Sequence, residues 1–229
     1  ESGKFEERLA NRVEKAKIVS EMKARLKRGA REDYSYAMIA DYKHDRSLNG
    51  LSIVEAAKKV RSADSLDDQI ELILDIQKNG GASGAFHGIN EDDLQTFLRH
   101  PNTMFASDSG VRRYQEGVPH PRGYGNNARV LARYVRDLKL LRLEDAIRRM
   151  TSLPATTFRL KDRGQLREGA WADILVFDLS DVQEHATFKE PHHYATGLRY
   201  VFVNGVEVVR NDVHTKAQPG RALRLGVEP

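Results

Sequence analysis

The chain has 229 residues, 40% hydrophobic and 31% charged, with a formal net charge of +4 and a pI near 9.2, room for one large domain or two small ones. It has no cysteine, which excludes disulfides, thiolate nucleophiles and thiolate metal ligands supplied by this chain. No run approaches the roughly 20 apolar residues of a membrane span, and the basic residues are interleaved with acids without a helix-turn-helix, zinc-finger or RNP-like pattern, so neither a membrane nor a nucleic acid is expected as partner. No signal segment is visible, and a start at Glu1 rather than Met reads as a processed form or fragment. The compartment, cytoplasmic or periplasmic, stays open.

In chain order, residues 4–28 read as one amphipathic helix, with Phe5, Leu9, Val13, Ile18, Met22 and Leu26 four or five apart and Gly29 as its stop. The stretch YSYAMIADY (34–42) reads as a strand, and SLNGLSIVEAAKKV as a turn at Asn49-Gly50 followed by a helix. A second helix follows in SLDDQIELILDIQKNGG, with Ser65 as N-cap, Asp67 and Asp68 in the first turn and Gly80-Gly81 at its end. GASGAFHGI fits a short buried strand. NEDDLQTFLRH is a helix capped by Asn90, with Leu94, Phe97 and Leu98 inward and Pro101 closing it. TMFAS is expected to be the next strand, giving the βα order of a parallel sheet or barrel with ligands at the carboxyl ends of the strands. Asp108 and His87 would both lie at such ends.

After the polar loop, a helix is expected to begin near Ala128 in ARVLARYVRDLKLL. Another, RLEDAIRRMTSLPATTF, is ended near Pro154. From Leu160 the pattern turns β-rich, with a hairpin at Asn204-Gly205 between valine-rich arms. Residues 160–229 are therefore expected as a separate β module after a domain over 1–159, with Trp171 in its core.

Asp108 is an acid at an expected strand tip, where tight packing and partial desolvation would suit a general base; a bland turn cap helped by Ser107 and Ser109 fits the same residues. Arg122 follows Pro121 and precedes Gly123, a stiff setting for a guanidinium fork that binds a carboxylate or phosphate, or for a surface arginine paired with Glu116. His87 and His120 have the chemistry of ligands or proton carriers but belong to no H-x-H or H-E-x-x-H pattern. His192-His193 reads as structural or surface.

The stretch HPNTMFASDSGVRRYQEGVPHPRGYGNNARVLARYVRDLKLLRLEDAIRRMTSLPA resembles the C-terminal part of the catalytic domain of N-acyl-D-amino-acid deacylases (D-aminoacylases) of the amidohydrolase superfamily. LKDRGQLREGAWADILVFDL, ATFKEPHHYATGLRYVFVNGVEVV and HTKAQPGRALR continue the resemblance, from about Tyr34 to Arg224. It implies an α/β fold: the C-terminal part of a (β/α) TIM-like barrel with an insertion segment over 1–159, and part of a small β-sandwich over 160–229. It implies a zinc-dependent hydrolase of N-acyl-D-amino acids in which Asp108 moves the proton and Arg122, in HPR, holds the substrate carboxylate. His120 and Tyr124 flank that arginine as further substrate-binding candidates, and Asp108 is also a candidate metal ligand.

The H-x-H and the cysteine that the family uses for metal are not in this sequence. The resemblance therefore implies that most zinc ligands lie outside this chain, that the isolated chain is inactive, and that the missing N-terminal half or an oligomer partner is needed. SDSG stands where relatives have SDG, leaving acyl and side-chain preference open. Alternatives are an amidohydrolase of another amide, such as an N-acyl-glutamate or a dihydropyrimidinase-like cyclic amide, and a non-catalytic scaffold remnant.

Overall fold

The computed structural model describes residues 2–111 and 113–224. They form an α/β protein that divides into two compact units. One unit comprises Glu1–Gly88, Arg113–His120 and Phe188–Glu190; the other comprises Ile89–Arg112, Pro121–Thr187 and Pro191–Pro229, each as far as it is described.

In the first unit, the single helix expected over 4–28 is two, α1 (Ser2–Ala10) and α2 (Arg12–Arg28). Asn11 divides them because its side-chain oxygen accepts from the amides of Val13 and Glu14, bonds an N-cap makes and a helix-interior residue does not. Gly29 ends α2 as expected. β1 (Ala37–Asp41) is buried along Ala37–Ala40, so it runs through the core rather than along a surface. Helices α3 (Ile53–Arg61) and α4 (Leu66–Lys78) each start on a reciprocal capping box, Ser52 with Glu55 and Ser65 with Asp68. Their apolar faces, through Ala56, Ala57, Leu72 and Ile76, close on Ile39, Tyr42 and Leu48.

β2 (Ser83–Phe86) is the strand expected in GASGAFHGI, but it is an edge strand with only Ala85 buried. It pairs antiparallel with β1, Ala37 opposite Phe86 and Ile39 opposite Gly84, rather than parallel to a following strand.

The second unit begins with α5 (Glu91–Arg99), capped by Asn90 as expected. Leu98 is buried, whereas Phe97 is 64% exposed. The stretch TMFAS is not a strand. No neighbouring strand offers it a ladder among the described residues, and Phe105 instead packs against the cluster of Leu98, Val130 and Tyr134. α6 (Arg122–Arg129) starts six residues earlier than the sequence suggests. Its two glycines permit close approach rather than a loop: a side chain on Gly123 would meet Ser109 Oγ at 2.6 Å, and one on Gly125 would meet Glu184 Cβ at 3.2 Å. A π-helical stretch, Val130–Asp137, continues it and buries Leu131, Tyr134 and Val135.

α7 (Leu143–Met150) and α8 (Ser152–Thr157) follow. The break falls at Thr151, and Pro154 sits inside the first turn of α8, where no intrahelical amide bond is lost. Four strands, β3 (Ile174–Phe177), β4 (Leu198–Val203), β5 (Val206–Arg210) and β6 (Val213–His214), form an antiparallel sheet in chain order. The hairpin expected at Asn204-Gly205 joins β4 and β5, with both turn residues at positive φ, 50° and 82°. Trp171 is half-buried rather than core: the Arg221 guanidinium lies 4.0 Å from its ring centre and Arg163 5.3 Å. Leu131, Val182, Phe177 and Leu198 share one apolar cluster.

Asp145 in α7 has an acid-sensitive role. Burial raises its carboxyl, but bonds from Arg149 and Arg148 and the charge of both hold it below the usual carboxylate range. A carboxyl depressed in the folded state stabilises it fully above the unfolded value, near 3.9, and less as pH falls through the folded value. The melting temperature of the second unit is therefore expected to drop below about pH 4, and Asp145→Asn to flatten that acid limb. An unchanged limb in the variant would remove Asp145 from the account.

Candidate active site

Asp108 occupies the loop 107–111 in the second unit, at φ 48°, a left-handed conformation that aspartate tolerates better than most residues. The Ser109 amide donates to Ser107 Oγ at 3.3 Å, so the serines shape the turn as the sequence suggests. The expected burial is absent. The Asp108 side chain is 86% exposed.

Arg122 is aimed at this loop from the first position of α6. Its Nη2 donates to Asp108 Oδ2 and to the Asp108 carbonyl oxygen, each at 2.8 Å. Asp108 is thus an acid that pairs with Arg122. The Arg122 side chain is 41% exposed. Ion pairs this open to water contribute about 0–1 kcal/mol, so a competing carboxylate can take the guanidinium at small cost.

Pro121 presets the backbone for the first helical residue, but α6 has no side-chain cap. Tyr124, two positions on, points its hydroxyl at His192 Nδ1, 2.8 Å away. Its ring meets those of His192 and Tyr194 edge-on, both at 5.4 Å between centres. The structure therefore joins Asp108 to Arg122, and Tyr124 to His192. No local pattern marks His192, because its partner is 68 residues away in the chain.

His120 belongs to the first unit, where its ring lies edge-on to Phe188 at 4.8 Å. His87 meets the same Phe188 ring at 4.0 Å, and its carbonyl accepts from Arg31 at 3.5 Å.

Among the described residues no group of three or more His, Asp or Glu side chains is placed to hold a metal ion. The Asp108 carboxylate is engaged by Arg122.

Residues 19–209 match the profile of the amidohydrolase family, a span that includes Asp108, Arg122, Tyr124 and His192. An N-acyl-D-glutamate deacylase of Alcaligenes xylosoxydans xylosoxydans is 41% identical over 143 residues, 62% of this chain and 28% of that protein. A solved D-aminoacylase, described for the functional role of its binuclear metal centre, superposes with a TM-score of 0.68 at 34% identity, over 79% of this chain and 36% of its own. The N-acyl-D-glutamate deacylase of Bordetella bronchiseptica, solved with zinc and a phosphonate mimic of the tetrahedral intermediate, gives 0.65 at 32% identity, over 76% of this chain and 35% of its own. The chain thus spans about a third of the length of the proteins it matches. Profile, sequence and fold agree: the chain belongs to the amidohydrolase family and is a homologue of its D-aminoacylases.

Proposed function

We propose that this chain is the proton-moving and carboxylate-binding part of a hydrolase that cleaves the amide bond of N-acyl-D-amino acids. The observation that carries the reading is the Arg122 guanidinium bonded to Asp108, an arginine fork and an acid on one loop-helix junction. The fork suits bidentate binding of a carboxylate, and the substrate's free carboxylate is the natural competitor for the Nη2 bonds. In this reading the substrate displaces Asp108 from Arg122 and so frees the base when substrate is in place. Asp108 then takes a proton from the attacking water as its oxygen bonds to the acyl carbon. It passes the proton to the amide nitrogen as the C–N bond breaks, leaving a carboxylic acid and a free amino acid.

One solved relative binds zinc, and in this reading most of the ligands for such an ion come from polypeptide outside these residues. The same reading takes 1–159 as the barrel segment with its insertion and 160–229 as part of a sandwich, inactive without the barrel's other half. A neutral cyclic amide has no carboxylate for Arg122 to hold, which argues against a dihydropyrimidinase-like substrate.

The test joins this chain to the metal-holding portion of a D-aminoacylase and assays N-acetyl-D-amino acids against their L forms. Turnover of the D forms alone is expected. Arg122→Ala is expected to raise KM at least tenfold with a smaller change in kcat, since charge-assisted hydrogen bonds contribute about 1.5–3 kcal/mol. An unaltered KM would show that the carboxylate is held elsewhere.

A further inference from the structure

We propose that His192 is a positioning residue for the carboxylate clamp, acting through Tyr124; this rests on the reading of Arg122 as that clamp. α6 has eight residues, and no side chain caps its start. Residues two apart on a helix project about 200° apart, so Arg122 and Tyr124 leave the first turn on opposite sides. Arg122 reaches the Asp108 loop on one side, and the Tyr124 hydroxyl reaches His192 Nδ1 on the other. A bond on one side of a turn sets the roll of that turn, and hence the direction of the group on the other side.

Two further contacts make the first turn sensitive to roll. A Cβ on Gly123 would come within 2.6 Å of Ser109 Oγ and one on Gly125 within 3.2 Å of Glu184 Cβ, so the turn lies close against both the loop and Glu184. The segment around Glu184 is itself anchored, by Arg129 to Glu184, by Arg136 Nη1 to the Val182 carbonyl at 2.6 Å, and by the paired backbones of Gln183 and Thr196. Thr196, four residues beyond His192, is thus tied to that anchored segment. A displacement of about 1 Å at a substrate-positioning group can change rate or affinity by up to about 100-fold, which is the leverage a hydrogen bond at this place has.

The experiment compares N-acetyl-D-leucine with N-acetyl-D-leucinamide, which lacks the carboxylate, in the joined enzyme described above. His192→Ala is expected to raise KM for the acid about five- to tenfold, with kcat within about twofold and KM for the amide unchanged. His192→Asn, which keeps a polar partner for the hydroxyl, restores part of the loss. Tyr124→Phe reproduces it, and the Tyr124→Phe, His192→Ala double variant is no worse than either single one. A readout independent of turnover is the 15N spectrum of the His192 ring in the 229-residue chain, where Tyr124→Phe shifts Nδ1.

Equal KM rises for acid and amide, additive losses, or an Nδ1 resonance unmoved by Tyr124→Phe would each overturn the role. A parent enzyme that does not distinguish acid from amide would instead sink the clamp and His192 with it. A parent that does, beside a His192→Ala variant that discriminates equally well, sinks His192 alone.

Discussion

Asp108→Asn in the joined enzyme is expected to lower kcat by about 100-fold or more, the usual scale for losing a positioned general base. KM should stay level or fall. Asparagine keeps the size of the side chain and tolerates the left-handed φ of 48° at this position, so the loop keeps its shape. It loses the charge that accepts the proton. It also loses the charge that competes with substrate for Arg122 Nη2, which now bonds both the Asp108 carboxylate and its carbonyl oxygen. The combination of a low kcat with an unraised KM separates a base from a structural residue, whose loss would disturb both constants or the melting temperature. A kcat within threefold of the parent enzyme would end the assignment.

Arg149→Ala is expected to destabilise the second unit by about 1–3 kcal/mol, read as a lower urea midpoint at unchanged slope. Arg149 is 2% exposed. Its Nη1 donates to the Leu98 carbonyl at the end of α5, and its Nη2 pairs with Asp145 on its own helix. Truncation leaves that carbonyl without its side-chain donor, leaves Asp145 with Arg148 alone, and opens a cavity beneath Phe105, whose ring centre lies 5.9 Å from the guanidinium. Arg149→Met is the control. It fills the space without burying a charge, and replacements of this kind are far milder than truncation. The guanidinium Nε has no partner at all, so part of the native arrangement is already costly and methionine relieves it. A loss below about 1 kcal/mol in the alanine variant would show that α5 and α7 are held by apolar packing alone.

The elements that could be read along the chain are those whose signals are local. Ser65 followed by Asp68, Asn90 followed by a run of acids, and Asn204-Gly205 between valine-rich arms each specify a cap or a turn through bonds within a few residues. They stand where the sequence places them. Misreadings arise where a local signal has two outcomes. Asn11 in a helix-period stretch divides the helix because its side chain satisfies amides of the next turn. Gly123 and Gly125 suggest a loop, but serve a helix pressed against Ser109 and Glu184. TMFAS has the composition of a strand and no neighbour to pair with among the described residues. Strands are the least local of elements, because their hydrogen bonds belong to another segment.

By itself, the sequence determined the helix caps and the hairpin, which depend on side-chain chemistry within one short stretch, and it carried the family resemblance over a much longer one. Tertiary structure alone decided that β1 and β2 run antiparallel, that Asp108 is exposed and bonded by Arg122, and that His192 meets Tyr124. Each of these joins residues between 14 and nearly 70 positions apart. Their proximity depends on how whole helices and strands pack to bury apolar surface, a sum over the chain that no local pattern encodes.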